Sequence, residues 1–346
     1  MALPRVAHFL SFGIGGADRA AIELVRCLVE KGLNITILYN EMSFPKRTAD
    51  QDEDQPLLSI FDEATNLAPH IRIESTQEIE AMGFDLLHTH RSGEDDWLLP
   101  GLGKSSRTYK IIETNFHGAT KTVADLRIYP SLALMKSKKI CFGNESRVIP
   151  NIVNSRQGIS QRQNYGISEE TLVFGRVARS DRSIYSPKLM QEYSKIETDN
   201  TLLIWVGKSR LAESDALRFG VKNIIWLDPI KDPKKMADIY QTFDVYLHVN
   251  ALGETFGNTV AEAVLRGIPV ASLKGERRYP QAQAEILTRE QYCSSRRQFK
   301  KLINMYLRNP EFRIEISKKN LEFSRNYLSE DNITLQIENI YREVLK

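Results

Sequence analysis

The sequence has few cysteines, no long apolar runs and little net charge, and each of these features argues against a particular class of protein. Its three cysteines, Cys27, Cys141 and Cys293, lie far apart and form no C-x-x-C pair. Reduced, buried thiols fit this spacing better than a disulfide framework or a zinc site, and reduced thiols suit the cytosol.

Apolar runs such as Leu202–Val206 are only as long as a strand. None approaches the roughly 20 residues that a membrane-spanning helix needs. Residues 1–10 lack the apolar stretch of a signal peptide. The formal net charge of +3 argues against a nucleic-acid partner. We therefore expect a soluble cytoplasmic protein, or one that binds peripherally at the inner face of the membrane.

Two successive series of alternating strands and helices are predicted, and they join near Pro150. A strand over Arg5–Phe12 precedes a glycine turn, Gly13–Gly16, and a helix over Ala17–Lys31 with apolar residues at helical spacing. Such units imply parallel sheets in an α/β fold. The length suits two domains, which we place at 1–150 and 151–330, with a helix over 331–346 that packs back on the first.

The remaining elements follow from the same patterns. Pro45–Pro56 is predicted to be a loop, Arg147–Asn154 a connection, and the chain from Arg296 onward about three helices. Further strands are predicted at Asn34–Tyr39, Ile71–Ile73, Phe84–Thr89, Tyr109–Thr114, Ser137–Asn144, Leu172–Val177, Leu202–Val206, Asn223–Leu227, Val245–Val249 and Ile268–Ser272.

The most informative segment is Asp244–Ser272, where a buried strand leads to a loop with Glu254 and then to a helix with Glu262. A loop carboxylate can accept hydrogen bonds from sugar hydroxyls. Glu262 lies roughly 8 Å along the helix from Gly257, at 1.5 Å per residue. That distance suits a ribose on the far side of a diphosphate. The alternative is an amphipathic helix with solvated glutamates.

The start of this helix is a candidate anion site. The backbone N–H groups of Phe256, Gly257 and Asn258 open the helix. Unpaired N–H groups and the helix dipole both favour a negative charge there. A diphosphate is the anion that fits between the two glutamates.

These residues resemble a known motif. The run E-T-F-G-N-T-V-A-E-A, followed by R-G-I-P-V-A, resembles the E-x7-E motif of retaining GT-B glycosyltransferases of family 4. Other segments resemble family segments in the same order: Gly13–Gly16, His88-Thr-His90, Glu113–Gly118, Val148–Asn154 and Phe174–Lys188. In the linker, Ile152 replaces the family's glycine and Asn154 its aspartate.

The resemblance implies a GT-B fold, with two facing Rossmann-like domains and an interdomain cleft. The first domain would bind the acceptor, and the second a UDP- or GDP-sugar. A hexose would pass, with retention of configuration and without a metal or other cofactor, to a glycan, a lipid-linked glycan or a small molecule. Polysaccharide biosynthesis is the implied process.

The resemblance also implies the site residues. Its catalytic residues would be His117, Glu254, Arg179 and Lys188. The donor would be bound by Gly15, Gly16, Arg176, Phe256, Gly257, Asn258 and Glu262. Arginine forks and a lysine can stabilise the charge that collects on a departing diphosphate. For Arg176, Arg179, Arg182 and Lys188, the alternative is a solvated basic loop.

Other interpretations remain open. The glycine turn lacks the third glycine of a dinucleotide fingerprint, because Asp18 stands there. Asp50-x-Asp52-x-Asp54 looks like a metal motif, but it lies in a polar loop with no strand before it. A GT-B epimerase or hydrolase, or a non-catalytic nucleotide-sugar-binding protein, would share the donor pocket.

The last part of the chain is basic. Nine cations and three carboxylates fall between Arg296 and Arg325. They predict either solvated helix faces or docking on an anionic membrane that carries a lipid-linked acceptor.

Overall fold

The computed structural model describes residues 3–13, 15–44, 55–91, 107–117, 124–137, 145–275 and 279–346. The chain forms two compact units. The N-terminal unit comprises Met1–Val153 with Ser329–Lys346, and the C-terminal unit comprises Asn154–Leu328. No helix among the described residues is long and apolar enough to cross a membrane.

The N-terminal unit is built on a seven-stranded parallel sheet in the order β3-β2-β1-β4-β5-β6-β7. Its strands are β1 (Arg5–Phe9), β2 (Asn34–Tyr39), β3 (His70–Arg72), β4 (Leu86–Arg91), β5 (Lys110–Asn115), β6 (Leu126–Tyr129) and β7 (Glu145–Val148). Its first helices are α1 (Gly16–Glu30), α2 (Gln55–Leu67), α3 (Thr76–Ala81) and α4 (Leu132–Ser137), with a 3-10 turn at Glu41–Ser43.

The C-terminal unit holds a six-stranded parallel sheet in the order β10-β9-β8-β11-β12-β13. Its strands are β8 (Leu172–Val177), β9 (Thr201–Val206), β10 (Ile224–Leu227), β11 (Val245–Val249), β12 (Val270–Leu273) and β13 (Tyr292–Cys293). Its helices are α5 (Lys188–Tyr193), α6 (Arg210–Phe219), α7 (Pro233–Tyr240), α8 (Asn258–Leu265), α9 (Gln283–Ile286), α10 (Arg296–Arg308) and α11 (Pro310–Tyr327).

The last helix, α12 (Glu330–Val344), belongs to the N-terminal unit. Its buried residues Ile333, Ile337, Ile340 and Tyr341 join the same core as the buried face of α1. The apolar residues of both helices recur three and four positions apart, which places them on one face of each helix.

The predicted strands of the C-terminal unit are confirmed to within two residues at each end. Every residue of β8 and of β11 is buried. A parallel strand that is covered on both faces reads as a continuous apolar run, so it can be recognised from sequence.

In the N-terminal unit, several predicted element boundaries differ from the structure. The first strand ends at Phe9, not at Phe12. Glu145–Val148 is an edge strand, although Arg147–Asn154 was predicted to be a connection. The predicted loop Pro45–Pro56 gives way to α2 at Gln55. Ser137 ends α4 rather than starting a strand.

Strand β13 was not predicted from the sequence, and neither was β6. Strand β6 holds Arg127, whose buried guanidinium Nε donates to the buried Glu113 carboxylate on β5 at 2.9 Å. This pairing lets a charged residue occupy a buried strand.

Three of the predictions fall outside the described residues. They are the loop predicted from Pro45, as far as residue 54 and with its aspartates at 50, 52 and 54; Cys141; and the rest of the strand predicted up to Asn144. Cys27 and Cys293 are buried free thiols, as predicted for Cys27, and burial raises the pKa of each to about 12.

Candidate functional site

The candidate site of the C-terminal unit lies at the carboxyl edge of its sheet. The strand order reverses between β8 and β11, which are neighbours at the centre. Ligands of open parallel sheets bind outside the carboxyl ends of the strands at such a reversal. The chain after β8 carries Arg179 and Lys188, and the chain after β11 carries Glu254.

Two glycines shape the loop that carries Glu254. Gly253 and Gly257 both have φ near +99°, a region that L side chains rarely adopt. A Cβ on Gly253 would lie 2.2 Å from Gln281 Nε2. The backbone of Glu254 donates to Pro280 O at 2.8 Å and accepts from Ala282 N at 3.0 Å. The loop is therefore held on both sides of the glutamate.

The Glu254 carboxylate has one occupied and one free oxygen. His248 Nε2 lies 3.0 Å from Oε1, and Asn250 Nδ2 donates to the same oxygen at 2.8 Å. Oε2 has no hydrogen-bond donor among the described residues, and 23% of the side chain is exposed. Glu254 can therefore accept a hydrogen bond from a ligand without losing those it already has.

The charge state of Glu254 follows from the same neighbours. Burial raises the pKa of Glu254, but the hydrogen bonds from His248 and Asn250 and the charge of Arg176 outweigh it. The net result is a pKa below the ordinary value of a glutamate. Glu254 is thus an ionised acceptor at neutral pH.

Helix α8 starts directly after this loop, with Gly257 at its N-cap. The N–H groups of Phe256, Gly257 and Thr259 have no acceptor within the described part of the chain. The phenyl ring of Phe256 is buried. Free N–H groups at a helix start form a ready site for an anion.

Glu262 lies about one turn into α8 and is partly exposed. Its carboxylate is close to Tyr240 and Arg266. Burial, followed by the negative charge of Glu262, raises the pKa of Tyr240. Arg266 lies over the Tyr240 ring, 5.1 Å from its centroid. These neighbours orient Glu262 on the same helix whose start faces the Glu254 loop.

The four predicted cations have different environments. Arg176 is only 4% exposed, and it donates to Val177 O and Val249 O, each at 3.0 Å. Arg179 is 58% exposed and lies 3.6 Å from the Asp181 carboxylate. Arg182 is exposed, and Lys188 is the first residue of α5. Arg176 therefore ties β8 to β11, while Arg179 extends from the loop.

The N-terminal unit contains the other predicted residues. Gly15 is the N-cap of α1 and Gly16 its first residue. A Cβ on Gly13 would lie 2.6 Å from Asp18 Oδ2, and one on Gly15 3.4 Å. The Asp18 carboxylate thus lies against the glycine turn, where an added anion would meet its negative charge. His117 follows β5 and is exposed.

Three buried histidines form the group that could hold a metal among the described residues. His8, His88 and His90 each offer a ring nitrogen within 4.8 Å of the others. Burial lowers the pKa of each, to about 3 for His90, so all three are neutral at neutral pH. Neutral imidazoles are zinc ligands.

The hydrogen bonds of this group connect the three histidines in series, which argues against their binding a single metal ion. His8 places Nδ1 3.0 Å from His90 Nε2, and its opposite nitrogen 3.1 Å from the Tyr341 hydroxyl. That hydroxyl also contacts His88 Nδ1. Because His8 turns opposite nitrogens to its two neighbours, the three rings are linked in series rather than arranged around one point.

Three residues around Glu254 were not predicted from the sequence: His248 and Asn250, which bond to its carboxylate, and Ser272, which bonds to His248. A signal was present. His248 and Asn250 are two positions apart at the end of an apolar strand, so they point to the same side as it meets the loop. Ser272 pairs with His248 in the register of β11 and β12.

The sequence matches no protein-family model and no curated protein. The fold does have solved counterparts. Sucrose-phosphate synthase from Thermosynechococcus elongatus is 16% identical over 98% of each chain, with a TM-score of 0.72. A glycosyltransferase from Rickettsia africae is 14% identical over all of both chains, with a TM-score of 0.76.

A third counterpart was crystallised with a donor. HepE from Anabaena, in complex with UDP-glucose, is 13% identical over 98% of this chain and 100% of its own, with a TM-score of 0.71. These structural neighbours are GT-B glycosyltransferases, and the likeness confirms the predicted GT-B fold class. At such identities the likeness establishes the fold alone.

Proposed function

We propose that this protein is a glycosyltransferase that moves a hexose-type sugar from a UDP- or GDP-sugar to an acceptor hydroxyl, with retention of configuration and without a metal. The acceptor is a glycan, a lipid-linked glycan or a small molecule. A UDP-sugar is favoured because neighbours such as HepE bind UDP and UDP-glucose.

The observation that carries the proposal is that, within the described part of the chain, a carboxylate with one unpaired oxygen lies close in sequence to unpaired N–H groups at the start of a helix. Glu254 Oε2 lacks a partner among the described residues, and the free N–H groups of α8 begin two residues later. A nucleotide sugar presents the same pair of groups, since its sugar hydroxyls donate hydrogen bonds and its diphosphate accepts them. We assign Glu254 to the sugar, the N–H groups to the diphosphate, and Glu262 to the ribose.

In the proposed reaction, the bond between the anomeric carbon and the diphosphate oxygen breaks, and a bond from that carbon to the acceptor oxygen forms on the same face. The departing phosphate oxygen takes the proton of the acceptor hydroxyl. Arg179 and Lys188 stabilise the charge of the leaving diphosphate. Arg176 acts from inside the sheet, because its two Nη atoms already donate to backbone carbonyls. His117 and the turn at Gly15–Gly16 are assigned to the reacting sugar.

A thermal-shift screen of UDP-, GDP- and ADP-sugars tests donor binding, because a ligand that binds the folded state raises the melting temperature. We expect a UDP- or GDP-sugar to give the largest rise. Product analysis with and without glycan acceptors then separates the functions. Sugar transfer supports the proposal, whereas release of free sugar, epimerisation, or binding without turnover each identifies a different function.

We also propose that α10 docks on an anionic membrane surface. The exposed side chains of this helix lie on one face, opposite the buried Phe299, Ile303 and Tyr306. That face carries Arg297, Lys300, Lys301, Met305 and Arg308. None of its four cations forms an ion pair with any described residue, whereas Arg296 at the edge is paired with Glu192. Cations around an apolar side chain suit anionic headgroups.

Co-sedimentation with vesicles tests this proposal. Binding to phosphatidylglycerol-containing vesicles should exceed binding to phosphatidylcholine alone, and it should fade as the Debye length falls toward roughly 3 Å at 1 M salt. Replacing Lys300 and Lys301 by Gln should weaken binding. The matched control, with Gln at the exposed Arg218 and Lys222, should not. Equal binding to both vesicle types would rule the proposal out.

A further inference from the structure

We propose that His248 is a positioning residue that holds Glu254 so that its free oxygen meets the donor sugar. The inference rests on the proposed function, because it assigns a role to a neighbour of the same glutamate. His248 does not touch the ligand itself. Its side chain is only 1% exposed and lies on β11, six residues before Glu254.

Both ring nitrogens of His248 are engaged. Nε2 lies 3.0 Å from Glu254 Oε1, and Nδ1 lies 3.0 Å from Ser272 Oγ on the neighbouring strand β12. Ser272 is fully buried, and its side chain has no other hydrogen-bond partner among the described residues. The two strands keep His248 and Ser272 side by side.

These contacts determine where the proton of the ring lies. An ionised carboxylate only accepts hydrogen bonds, so His248 Nε2 must carry the hydrogen that faces Glu254. Nδ1 then has a free lone pair, and the Ser272 hydroxyl donates to it. The resulting order is Ser272 O–H to His248, and His248 N–H to Glu254. Burial lowers the pKa of His248, which keeps the ring neutral.

These contacts determine which oxygen of Glu254 is available to a ligand. His248 and Asn250 donate to the same oxygen, Oε1. Two donors on one oxygen restrict rotation of the carboxylate and leave Oε2 as the oxygen that a ligand can reach. Without His248, a single hydrogen bond from Asn250 remains, and the carboxylate can turn.

The test compares two substitutions by titration calorimetry with UDP-glucose and with UDP. His248→Leu removes both ring nitrogens, while the amide of His248→Gln can still donate to Glu254. We expect His248→Leu to weaken UDP-glucose binding roughly 10-fold, the lower end for a hydrogen bond to a charged group. UDP binding should stay within 2-fold of the parent, since UDP has no sugar for Glu254. His248→Gln should restore most of the lost affinity.

A milder variant and a direct measurement cover the case in which His248→Leu does not fold. Ser272→Ala keeps the ring and removes only its second partner, so it should weaken UDP-glucose binding about 2-fold and leave UDP binding unchanged. Nitrogen-15 NMR of the parent protein should report the Nε2–H tautomer of His248 at neutral pH. The Nδ1–H tautomer would overturn the proposal.

The outcomes separate this inference from the proposed function. Equal losses of UDP and UDP-glucose binding in His248→Leu would show a structural role and overturn the inference. Glu254→Ala serves as the reference. If that variant keeps the affinity of the parent for UDP-glucose, or if the parent binds neither probe, the proposed use of a UDP-sugar fails. If Glu254→Ala loses the sugar-dependent affinity and His248→Leu does not, only the inference about His248 fails.

Discussion

The Tyr341 hydroxyl lies 2.7 Å from His88 Nδ1, although 253 residues separate the two along the chain. The same hydroxyl lies 3.1 Å from His8 Nε2, and His88 Nε2 lies 2.8 Å from Thr114 Oγ1. All of these groups are buried. One phenol oxygen on α12 therefore satisfies two imidazoles that water cannot reach.

Replacing Tyr341 by Phe should lower the free energy of unfolding by about 1–3 kcal/mol, because two buried ring nitrogens lose their partner. Urea denaturation followed by a probe in the N-terminal unit measures the change. Tyr39→Phe is the matched control, since Tyr39 lies in the same unit and its hydroxyl makes no hydrogen bond with the described residues. A loss no larger than that of the control would contradict the prediction.

The histidine cluster should make the protein sensitive to mild acid. The pKa of each histidine is lowered by burial in the folded state, from 6.5 to about 3 for His90. Below pH 6.5 the unfolded chain takes up protons that the folded chain excludes, so stability falls as pH falls toward 3. Each histidine contributes up to ~1.4 kcal/mol per pH unit.

Urea denaturation between pH 7.5 and 5 tests this slope. His90→Gln should make stability less dependent on pH, by up to ~1.4 kcal/mol per unit. His70→Gln, at an exposed histidine, should leave the slope unchanged. Identical slopes in parent and His90→Gln would show that His90 is protonated in the folded protein.

Gly257→Ala should both destabilise the fold and weaken donor binding, and comparison with a second glycine separates the two effects. There is room for the methyl group, since the nearest atom to a Cβ is 3.5 Å away, but φ is +99°. The left-handed conformation should cost roughly 1–2 kcal/mol. Gly166→Ala, with φ of +63° and nothing within 4 Å, should cost a similar amount. Only Gly257→Ala should weaken UDP-glucose binding, and equal effects on binding would argue against α8 as the diphosphate site.

Glu254→Ala and Glu262→Ala should fail differently in steady-state kinetics. Glu254 already binds the sugar in the ground state, and its hydrogen bonds strengthen as the anomeric carbon becomes cationic, so their loss lowers kcat in addition to weakening donor binding. Glu262 holds a ribose that does not change during reaction, so its loss raises KM. Each effect should be on the order of 1.5–3 kcal/mol.

Neither glutamate variant should unfold the protein, because both side chains are partly exposed. Glu254→Ala should lower the free energy of unfolding by about 1–3 kcal/mol, because the buried His248 and Asn250 lose their acceptor. Glu169→Ala, on an exposed turn, is the control for surface substitution. If Glu254→Ala and Glu262→Ala keep the kcat and KM of the parent, the donor site lies elsewhere.

Turnover should persist in a chelator, because the proposal assigns the charge of the diphosphate to Arg179, Lys188 and the N–H groups of α8. Activity is measured after dialysis against EDTA, and again after addition of Mg²⁺ or Mn²⁺. Complete loss in EDTA that either metal restores would contradict metal independence.

Much of the fold could be predicted because parallel strands covered on both faces are nearly continuous apolar runs. β8, β9 and β11 are of this kind, and their predicted bounds agree closely with the structure. β6 could not be predicted, since the partner that makes Arg127 acceptable in a buried strand is Glu113 on another strand. An ion pair between two strands can be recognised only once the strands are known to be neighbours.

The candidate site shows the same limit. The sequence pattern predicted the order of loop, glycine and helix around Glu254 and Glu262. The donor-binding role of Arg176 stays a prediction, and the structure adds that its guanidinium is buried against two backbone carbonyls. The role of His248 does not follow from the sequence, because strand register and a loop conformation bring its partners, Ser272 and Glu254, to it.

The position of α12 has a consequence for the order in which the protein is made. The N-terminal unit is interrupted after Val153 and resumes only at Ser329. On the ribosome, Asn154–Leu328 can leave the exit tunnel and fold while the first unit still lacks one wall of its core. The histidines of β1 and β4 lack the Tyr341 hydroxyl until Ser329–Lys346 has been synthesised. A nascent chain released before α12 is made would expose the apolar surface of α1. Chaperones and proteases would then encounter an incompletely folded N-terminal unit joined to a folded C-terminal unit.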